Sequence, residues 1–127
     1  PHNYTPNSVV YTGTHDNETL MQYLECTEEH VRNHIREYMN RPHASNGELC
    51  ENLIWMAMSS VGKYCMIPLQ DYLGLGAEAR INEPSTLGKN WKWRLLPGEI
   101  TGDVLKQCRR MAKLYGRLPE TVSDINM

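Results

Sequence analysis

Apolar residues along the chain fall into two short runs and several longer periodic segments. The first short run, residues 8–12, is rich in β-branched and aromatic side chains and lies between Pro6 and Gly13. The second, residues 64–67, stops at Pro68, which cannot donate a hydrogen bond to a central strand. Neither run alternates with polar residues, so the pattern predicts two strands that are buried on both faces.

The periodic segments predict helices between and after these strands. We expect the first to begin at Asn17, with Asp16 or Asn17 itself as the N-cap. The second should open at Thr27 and stop before Pro42. Buried strands that are separated by helices indicate a parallel sheet with helical crossover connections.

Two further helices are predicted in the second half of the chain. The one that contains Leu53 is apolar on most sides, so we expect it to be covered on most sides and to have Gly62 as its C′ residue. The last covers residues 101–115 with one apolar side and ends at Gly116. Residues 117–127 are predicted to form a polar tail.

Composition narrows the class of protein and its partners. The chain has 127 residues, of which 40% are hydrophobic and 22% charged, and a formal net charge of -2. These values are ordinary for one globular unit and exclude collagen-like, disordered and disulfide-dense classes. The weak negative charge gives no attraction to nucleic acid or to anionic membranes, so we predict neither as a partner.

The cysteines and the uncharged stretches indicate a location inside the cell. The four cysteines lie far apart and form no CxxC pair. This spacing argues against a zinc finger and favours reduced thiols. No uncharged stretch approaches the ~20 residues that a membrane-spanning helix needs. We therefore predict a cytoplasmic protein without a membrane partner.

The polar sequence after the first strand is the strongest candidate for chemistry. His15 and Asp16 lie where a parallel strand gives way to its helix, the place at which α/β folds put their active residues. The alternative is that Asp16 only caps the following helix and that His15 donates a structural hydrogen bond. Position alone leaves both interpretations open.

Three strings in this sequence resemble one enzyme family. They are, in order, VVYTGTHDNET over residues 9–19, PLQDYLGLGAEARIN over residues 68–82 and NWKWR over residues 90–94. In this order they resemble glycoside hydrolase family 77, the 4-α-glucanotransferases known as amylomaltase or disproportionating enzyme.

The resemblance implies a fold and a position within it. Family members are α/β proteins with a (β/α)8 TIM barrel, and residues 1–127 would form a single partial domain, the C-terminal quarter of that barrel. Residues 9–12 would be the seventh strand and residues 64–67 the eighth, with their helices, so that the isolated piece is mostly helical. The absence of an initiator Met before Pro1 agrees with this expectation.

The resemblance also implies roles for three residues. Family members cleave an α-1,4-glucosidic bond and transfer the glucan to another sugar by a retaining double displacement. Asp16 would be the catalytic carboxylate that stabilises the transition state, while His15 and Asn82 would bind the substrate, a maltooligosaccharide or α-1,4-glucan. No metal and no organic cofactor is implied.

The same resemblance predicts that the 127-residue chain is inactive by itself. A retaining mechanism needs a nucleophile and an acid/base carboxyl about 5–5.5 Å apart. In the family these come from the fourth and fifth strands, which would lie before Pro1. We also expect the isolated chain to self-associate through strand edges and apolar faces that the rest of a barrel would cover.

Other interpretations of the functional residues compete with this one. A non-catalytic carbohydrate-binding or structural module would keep the sugar-contacting surface alone. A metal-dependent hydrolase would use His15 and Asp16 with His30 and His34, which are four apart on a predicted helix but lack a third ligand. Residues 74–79 match a loose GxGxxA pattern, although no strand directly precedes them.

Polar and aromatic residues of the second and third strings have structural interpretations. Gln70 and Asp71 are candidates for contact with glucan, but we interpret Asp71 as the cap of the short turn after it. Trp91 and Trp93 are candidates for stacking on sugar rings, but we interpret them as core residues, with Arg94 available to cover one ring.

Overall fold

The structure, a computed structural model, describes residues 1–119; the end of the predicted polar tail, residues 120–127, lies outside them. In chain order the elements are the strand β1 (Val9–Tyr11), the helices α1 (Leu20–Cys26), α2 (Glu29–Tyr38) and α3 (Asn46–Met58), the strand β2 (Tyr64–Met66), the helix α4 (Leu69–Tyr72), a 3₁₀ turn (Ala77–Ala79) and the helix α5 (Gly102–Leu114). Both predicted strands and the four longer predicted helices are therefore present.

The two strands form a parallel pair, as the sequence predicts. Val9 pairs with Tyr64, Val10 with Cys65 and Tyr11 with Met66. The helices α1 to α3 lie in the connection between the two strands, which is long enough for a parallel crossover. Polar residues that follow each strand consequently lie at the same edge of the sheet.

The prediction that both strands are buried on both faces is wrong for this chain. Val10 is 6% exposed, whereas four apolar residues that flank the central pair are about half exposed. These four are Val9 and Tyr11 on β1, and Tyr64 and Met66 on β2. The helices cover the face that contains Val10, and no described element covers the other face.

The core is centred on α3. Leu49 and Ile54 of this helix pack with Leu24 of α1 and Met111 of α5, and Leu24, Leu49 and Met111 are the largest fully buried side chains. Because α3 contacts α1, α4 and α5, it is covered on most sides, as its broad apolar surface predicts. The apolar side of α5 is less buried than its pattern suggests, since Leu105 is 59% exposed.

Helix ends show where sequence patterns mislead. Neither Asp16 nor Asn17 caps α1; Thr19 does so by accepting a hydrogen bond from Gln22 N at 3.2 Å. Ser45 and Glu48 form a capping box at the start of α3. Thr101 caps α5 by accepting from Val104 N at 3.3 Å.

Gly62 and Arg117 also differ from the predictions. α3 ends at Met58 with Ser59 as C-cap, so Gly62 is not its C′ residue. Instead, a Cβ at Gly62 would lie 2.5 Å from Val10 Cγ2, so the close approach of the chain to β1 requires glycine.

Arg117 is not part of a solvated tail. Its guanidinium donates to three carbonyl oxygens, those of Met58, Ser60 and Gly62, at 2.8, 3.0 and 3.1 Å.

Among residues 1–119, none of the helices is both long enough and apolar enough to cross a bilayer.

Candidate active site at the ends of the two strands

The segment between β1 and α1 carries the first two predicted site residues. Within it, Asn17 Oδ1 accepts hydrogen bonds from Thr14 N at 2.7 Å and Thr14 Oγ1 at 2.9 Å, which closes a local turn. Asn17 therefore shapes this segment instead of capping α1. His15 and Asp16 stand at the turn with side chains that are 57% and 49% exposed, so both are accessible to a ligand.

Asp16 contacts both of the other predicted site residues. Its Oδ1 atom accepts a hydrogen bond from Asn82 Nδ2 at 2.7 Å and lies 3.3 Å from His15 Nε2. The backbone reinforces the contact, because Asn82 N donates to His15 O at 3.0 Å. The structure thus brings Asp16, His15 and Asn82 together from positions 66 residues apart.

Arg80 is a member of this cluster that sequence reasoning missed. Its Nη2 atom donates to Asp16 O at 2.9 Å, and its Nε atom donates to Asn82 O at 2.9 Å. The planar guanidinium therefore bonds the backbone on both sides of the Asp16–Asn82 contact. Arg80 lies two residues before Asn82 in the second family string. The string therefore contained Arg80, but no feature of the local sequence distinguished it from its neighbours as a site residue.

Trp91 lies beside His15 and is not a core residue, contrary to the prediction. It is 57% exposed, and its ring centroid lies 5.2 Å from that of the His15 imidazole, with an angle of 37° between the rings. Its backbone has a positive φ of 63° and donates from N to Ile81 O at 2.8 Å. Arg94 donates to the carbonyl oxygens of Trp91 and Trp93, so it orders the backbone of this string.

Asp71 does not cap the turn after it. It is 3% exposed, and its carboxylate accepts from Leu20 N at 2.9 Å and from Thr12 Oγ1 at 2.7 Å. Burial raises the pKa of Asp71, and the hydrogen bonds from Leu20 and Thr12 oppose that rise. Asp71 thus lies beneath the segment that carries Asp16, and both of its carboxylate oxygens accept hydrogen bonds from that region of the protein.

Gln70, the neighbour of Asp71, is also buried. It is 6% exposed, and its Nε2 atom donates to Ala79 O at 3.2 Å, directly before the segment of Arg80 and Asn82. Gln70 therefore supports the chain just before Arg80 and Asn82. Burial raises the pKa of the nearby Cys50 thiol to about 11, with a smaller contribution from the Asp71 charge.

Two clefts adjoin the cluster. The larger, about 620 Å³, is lined by His15 and Asp16 together with Tyr11 and Met66 from the exposed sheet face. The smaller, about 260 Å³, is lined by His15, Arg80 and Trp93. Asp16 is thus accessible from the larger cleft.

The two histidines of the metal hypothesis lie apart from this cluster. His30, on α2, pairs through Nδ1 with Glu28 Oε2 at 2.9 Å on an exposed surface. Within residues 1–119, no three His, Cys, Asp or Glu side chains are grouped so that they could hold a metal ion. The structure therefore does not unite His30 and His34 with His15 and Asp16.

Comparison with known proteins agrees with the three sequence strings. Residues 1–100 match the family model of glycoside hydrolase family 77, described as 4-alpha-glucanotransferase. The chain is 38% identical over 122 residues to the chloroplastic/amyloplastic 4-alpha-glucanotransferase of Solanum tuberosum, a match that covers 93% of this chain and 21% of the relative. It is 38% identical over 120 residues to the 4-alpha-glucanotransferase of Clostridium butyricum, covering 92% of this chain and 24% of the relative.

A solved structure has the same fold over this region. The amylomaltase from Streptococcus agalactiae in complex with acarbose superposes with a TM-score of 0.86 and 30% sequence identity, and the match covers 94% of this chain and 24% of that one. The chain spans about a fifth to a quarter of the length of these relatives. The family match extends over most of the chain and includes every residue of the cluster, and the chain belongs to the 4-α-glucanotransferase family, glycoside hydrolase family 77.

Proposed function

We propose that this chain supplies part of the active site of a 4-α-glucanotransferase that transfers α-1,4-glucan segments between maltooligosaccharides. The observation that carries the proposal is the contact of Asp16 with His15 and Asn82 beside the larger cleft. The amylomaltase that shares this fold was solved with acarbose bound, which supports an oligosaccharide as the ligand.

In this proposal β1 and β2 are the seventh and eighth strands of a (β/α)8 barrel. Their parallel pairing supports the assignment, since barrel strands are parallel and neighbouring in sequence order. The cluster follows the carboxyl ends of both strands, where barrel enzymes carry their active sites. The exposed sheet face, with Tyr11 and Met66, would then point into the barrel.

Asp16 would act on the transition state of glycosyl transfer. As the bond to the leaving sugar breaks, the anomeric carbon becomes oxocarbenium-like, and a fixed carboxylate beside the sugar hydroxyls forms stronger hydrogen bonds as that charge grows. The Asn82 amide and the His15 ring restrict the position of the Asp16 carboxylate, so little reorganisation is needed during the reaction. His15 and Asn82 would also contact the sugar.

The remaining steps need two carboxyl groups that we do not assign in this chain. A nucleophile would form a glycosyl-enzyme bond as the first glucan leaves, and the 4-hydroxyl of the acceptor would later take its place. An acid/base group would protonate the leaving oxygen and then deprotonate the acceptor. We therefore expect the 127 residues by themselves to have no transferase activity, and release of glucose from maltotriose by the purified chain would contradict this.

The test uses an assembled enzyme, in which this chain replaces the matching quarter of the Clostridium butyricum relative. We expect it to disproportionate maltotriose, and Asp16→Asn to lower kcat by about 10²–10³-fold while glucan affinity changes little. Asp103→Asn is the matched control, because its side chain is 96% exposed at the start of α5. A folded assembled enzyme without turnover, or an Asp16→Asn variant with full turnover, would refute the proposal; glucan binding without turnover would favour a binding module.

The cytoplasmic location stays a prediction, since the Solanum tuberosum relative is named as chloroplastic/amyloplastic.

A further inference from the structure

One buried carboxylate holds both ends of the segment that carries His15 and Asp16. Thr12 directly follows β1, and Leu20 is the first residue of α1. Thr12 Oγ1 donates to Asp71 Oδ2 at 2.7 Å, and Leu20 N donates to Asp71 Oδ1 at 2.9 Å. Asp71 therefore closes the base of residues 13–19, which we call the catalytic loop.

The short helix α4, which contains Asp71, also supports the part of the cluster that contains Arg80 and Asn82. Gln70 precedes Asp71 on α4 and donates to Ala79 O at 3.2 Å, at the end of the 3₁₀ turn. Residues 80–82 follow immediately and hold the tip of the catalytic loop through Arg80 and Asn82. Two adjacent buried residues thus fix the base of the loop and the segment that contacts its tip.

A simple capping role does not account for Asp71. Asp71 does satisfy one free amide in the first turn of α1, that of Leu20, whereas Thr19 is the N-cap and accepts from Gln22 N. Its second bond comes from the Thr12 hydroxyl at the end of β1, which is not part of a helix end. A carboxylate that is 3% exposed is costly to place in a protein interior unless its bonds compensate. The bonds that Asp71 makes have one geometric effect in common, which is to fix the distance and direction between the two ends of the catalytic loop.

We propose that Asp71 is a positioning residue for catalysis: by bonding Thr12 and Leu20 it sets the place of the Asp16 carboxylate against the sugar. This inference rests on the proposed function of Asp16. In this proposal Asp71 acts through the catalytic loop and not by contact with the sugar. Its contribution is geometric, and a displacement of about 1 Å at a reacting group can lower a rate by about 10²-fold.

The test compares substitutions of Asp71 in the assembled enzyme. Asp71→Leu keeps the branched shape of the side chain, with two larger methyl groups in place of the oxygens, and leaves Leu20 N–H and the Thr12 hydroxyl without their acceptor. We expect kcat per folded molecule to fall about 10–100-fold, with KM for maltotriose within about twofold. Asp71→Asn should restore most of kcat, because its amide oxygen accepts from Leu20 and its NH₂ group donates to Thr12.

Substitutions of Thr12 provide a second test of the positioning role if the Asp71→Leu enzyme does not fold. Thr12→Val removes one of the two bonds without changing the shape of the side chain, and we expect about a 3–10-fold loss of kcat at similar KM. Thr12→Ser keeps the hydroxyl and should retain turnover. Thr101→Ala is the structural control: it removes the N-cap of α5, away from the cluster, and should lower Tm while kcat per folded molecule stays unchanged.

The outcomes separate this inference from the proposed function. If Asp16→Asn removes turnover but both Asp71→Leu and Thr12→Val keep their full kcat per folded molecule, the positioning role is refuted and the proposed function stands. If Asp16→Asn keeps full turnover, the proposed function itself fails. A loss of Tm without a loss of kcat, as expected for Thr101→Ala, would show that Asp71 is only structural.

Discussion

The side-chain amide of Asn82 donates a hydrogen bond of 2.7 Å to Asp16 Oδ1, joining two motifs that are 66 residues apart. His15 Nε2 approaches the same oxygen, at 3.3 Å. Because both contacts fall on Oδ1, we expect Oδ2 to be the oxygen that meets a sugar hydroxyl. The orientation of the carboxylate is thus set by residues from both strand ends.

Removal of the Asn82 amide should weaken catalysis more than folding. Hydrogen bonds to charged groups contribute about 1.5–3 kcal/mol, so we expect Asn82→Ala to lower kcat/KM of the assembled enzyme about 10–100-fold. The measurement is initial-rate kinetics with maltotriose. Asn7→Ala, at an exposed position before β1, is the matched control, and equal rates for the two variants would contradict this role of Asn82.

Loss of the Trp91 ring should raise KM. The indole lies beside His15 and is 57% exposed, so Trp91→Leu removes an aromatic surface at the site without opening a core cavity. Aromatic contacts contribute about 0.5–1.5 kcal/mol, which corresponds to about a 2–12-fold change in KM. Leu87→Ala, at a residue that is 98% exposed, should leave KM unchanged. A Trp91→Leu enzyme with normal KM would show that the ring does not contribute to binding.

Substitution of Gly62 by alanine should destabilise the chain. The added Cβ would lie 2.5 Å from Val10 Cγ2, and forced overpacking of this kind costs about 1–3 kcal/mol in the free energy of unfolding. Urea unfolding measures the change. Gly102→Ala is the control, since a Cβ at this position would meet no atom within 4 Å. Gly102 lies in the first turn of α5, where alanine is favoured. A neutral Gly62→Ala would mean that Val10 moves aside freely.

The cysteines should react with a thiol reagent in the order of their exposure. Cys26 is exposed, whereas burial raises the pKa of Cys50 to about 11 and also raises the pKa of Cys65 and Cys108. At pH 8 a raised pKa keeps the thiol protonated and unreactive, so mass spectrometry after brief alkylation should find Cys26 labelled first and Cys50 last. Equal labelling of Cys50 and Cys26 in the folded chain would contradict this order.

The exposed sheet face should make the isolated chain self-associate. Val9 and Tyr64 are paired neighbours on this face, 45% and 57% exposed, and a contiguous apolar surface of this kind favours association. Light scattering should report a dimer or larger assembly. The double variant Val9→Lys with Tyr64→Lys should shift it towards monomer, whereas Leu114→Lys, on α5, should not. A wild-type chain that stays monomeric at high concentration would refute this prediction.

Local patterns were sufficient for both strands and for the longer helices. A β-branched and aromatic run located β1, and a short apolar run that stops at Pro68 located β2. Apolar periodicity located α3 and α5 to within a few residues, because these signals are contained in the segments themselves. The structure places Asp16 and Asn82 in contact, and the roles that the family resemblance implies for them stay predictions. Their positions after consecutive parallel strands also bring them to one edge of the sheet.

Features that depend on distant partners were not predictable from the sequence. Asp71 bonds Leu20 across 51 residues, so a rule about neighbouring turns could not identify its acceptor role. Trp91 has a left-handed backbone, with φ of 63°, and is held by Ile81 O, so the usual tendency of indoles to be buried did not apply. Burial of both strand faces was also wrong, because it requires layers on two sides and the described residues provide one.

The guanidinium of Arg117 sets a practical limit on shortened versions of the protein. It donates hydrogen bonds to the carbonyl oxygens of Met58, Ser60 and Gly62, which lie at the end of α3 and in the turn that leads from α3 into β2. A version cut after Tyr115 would leave these three acceptors to water at the point where the crossover returns to the sheet. Crystallisation trials should therefore use chains that retain Arg117, even when the residues after it are trimmed.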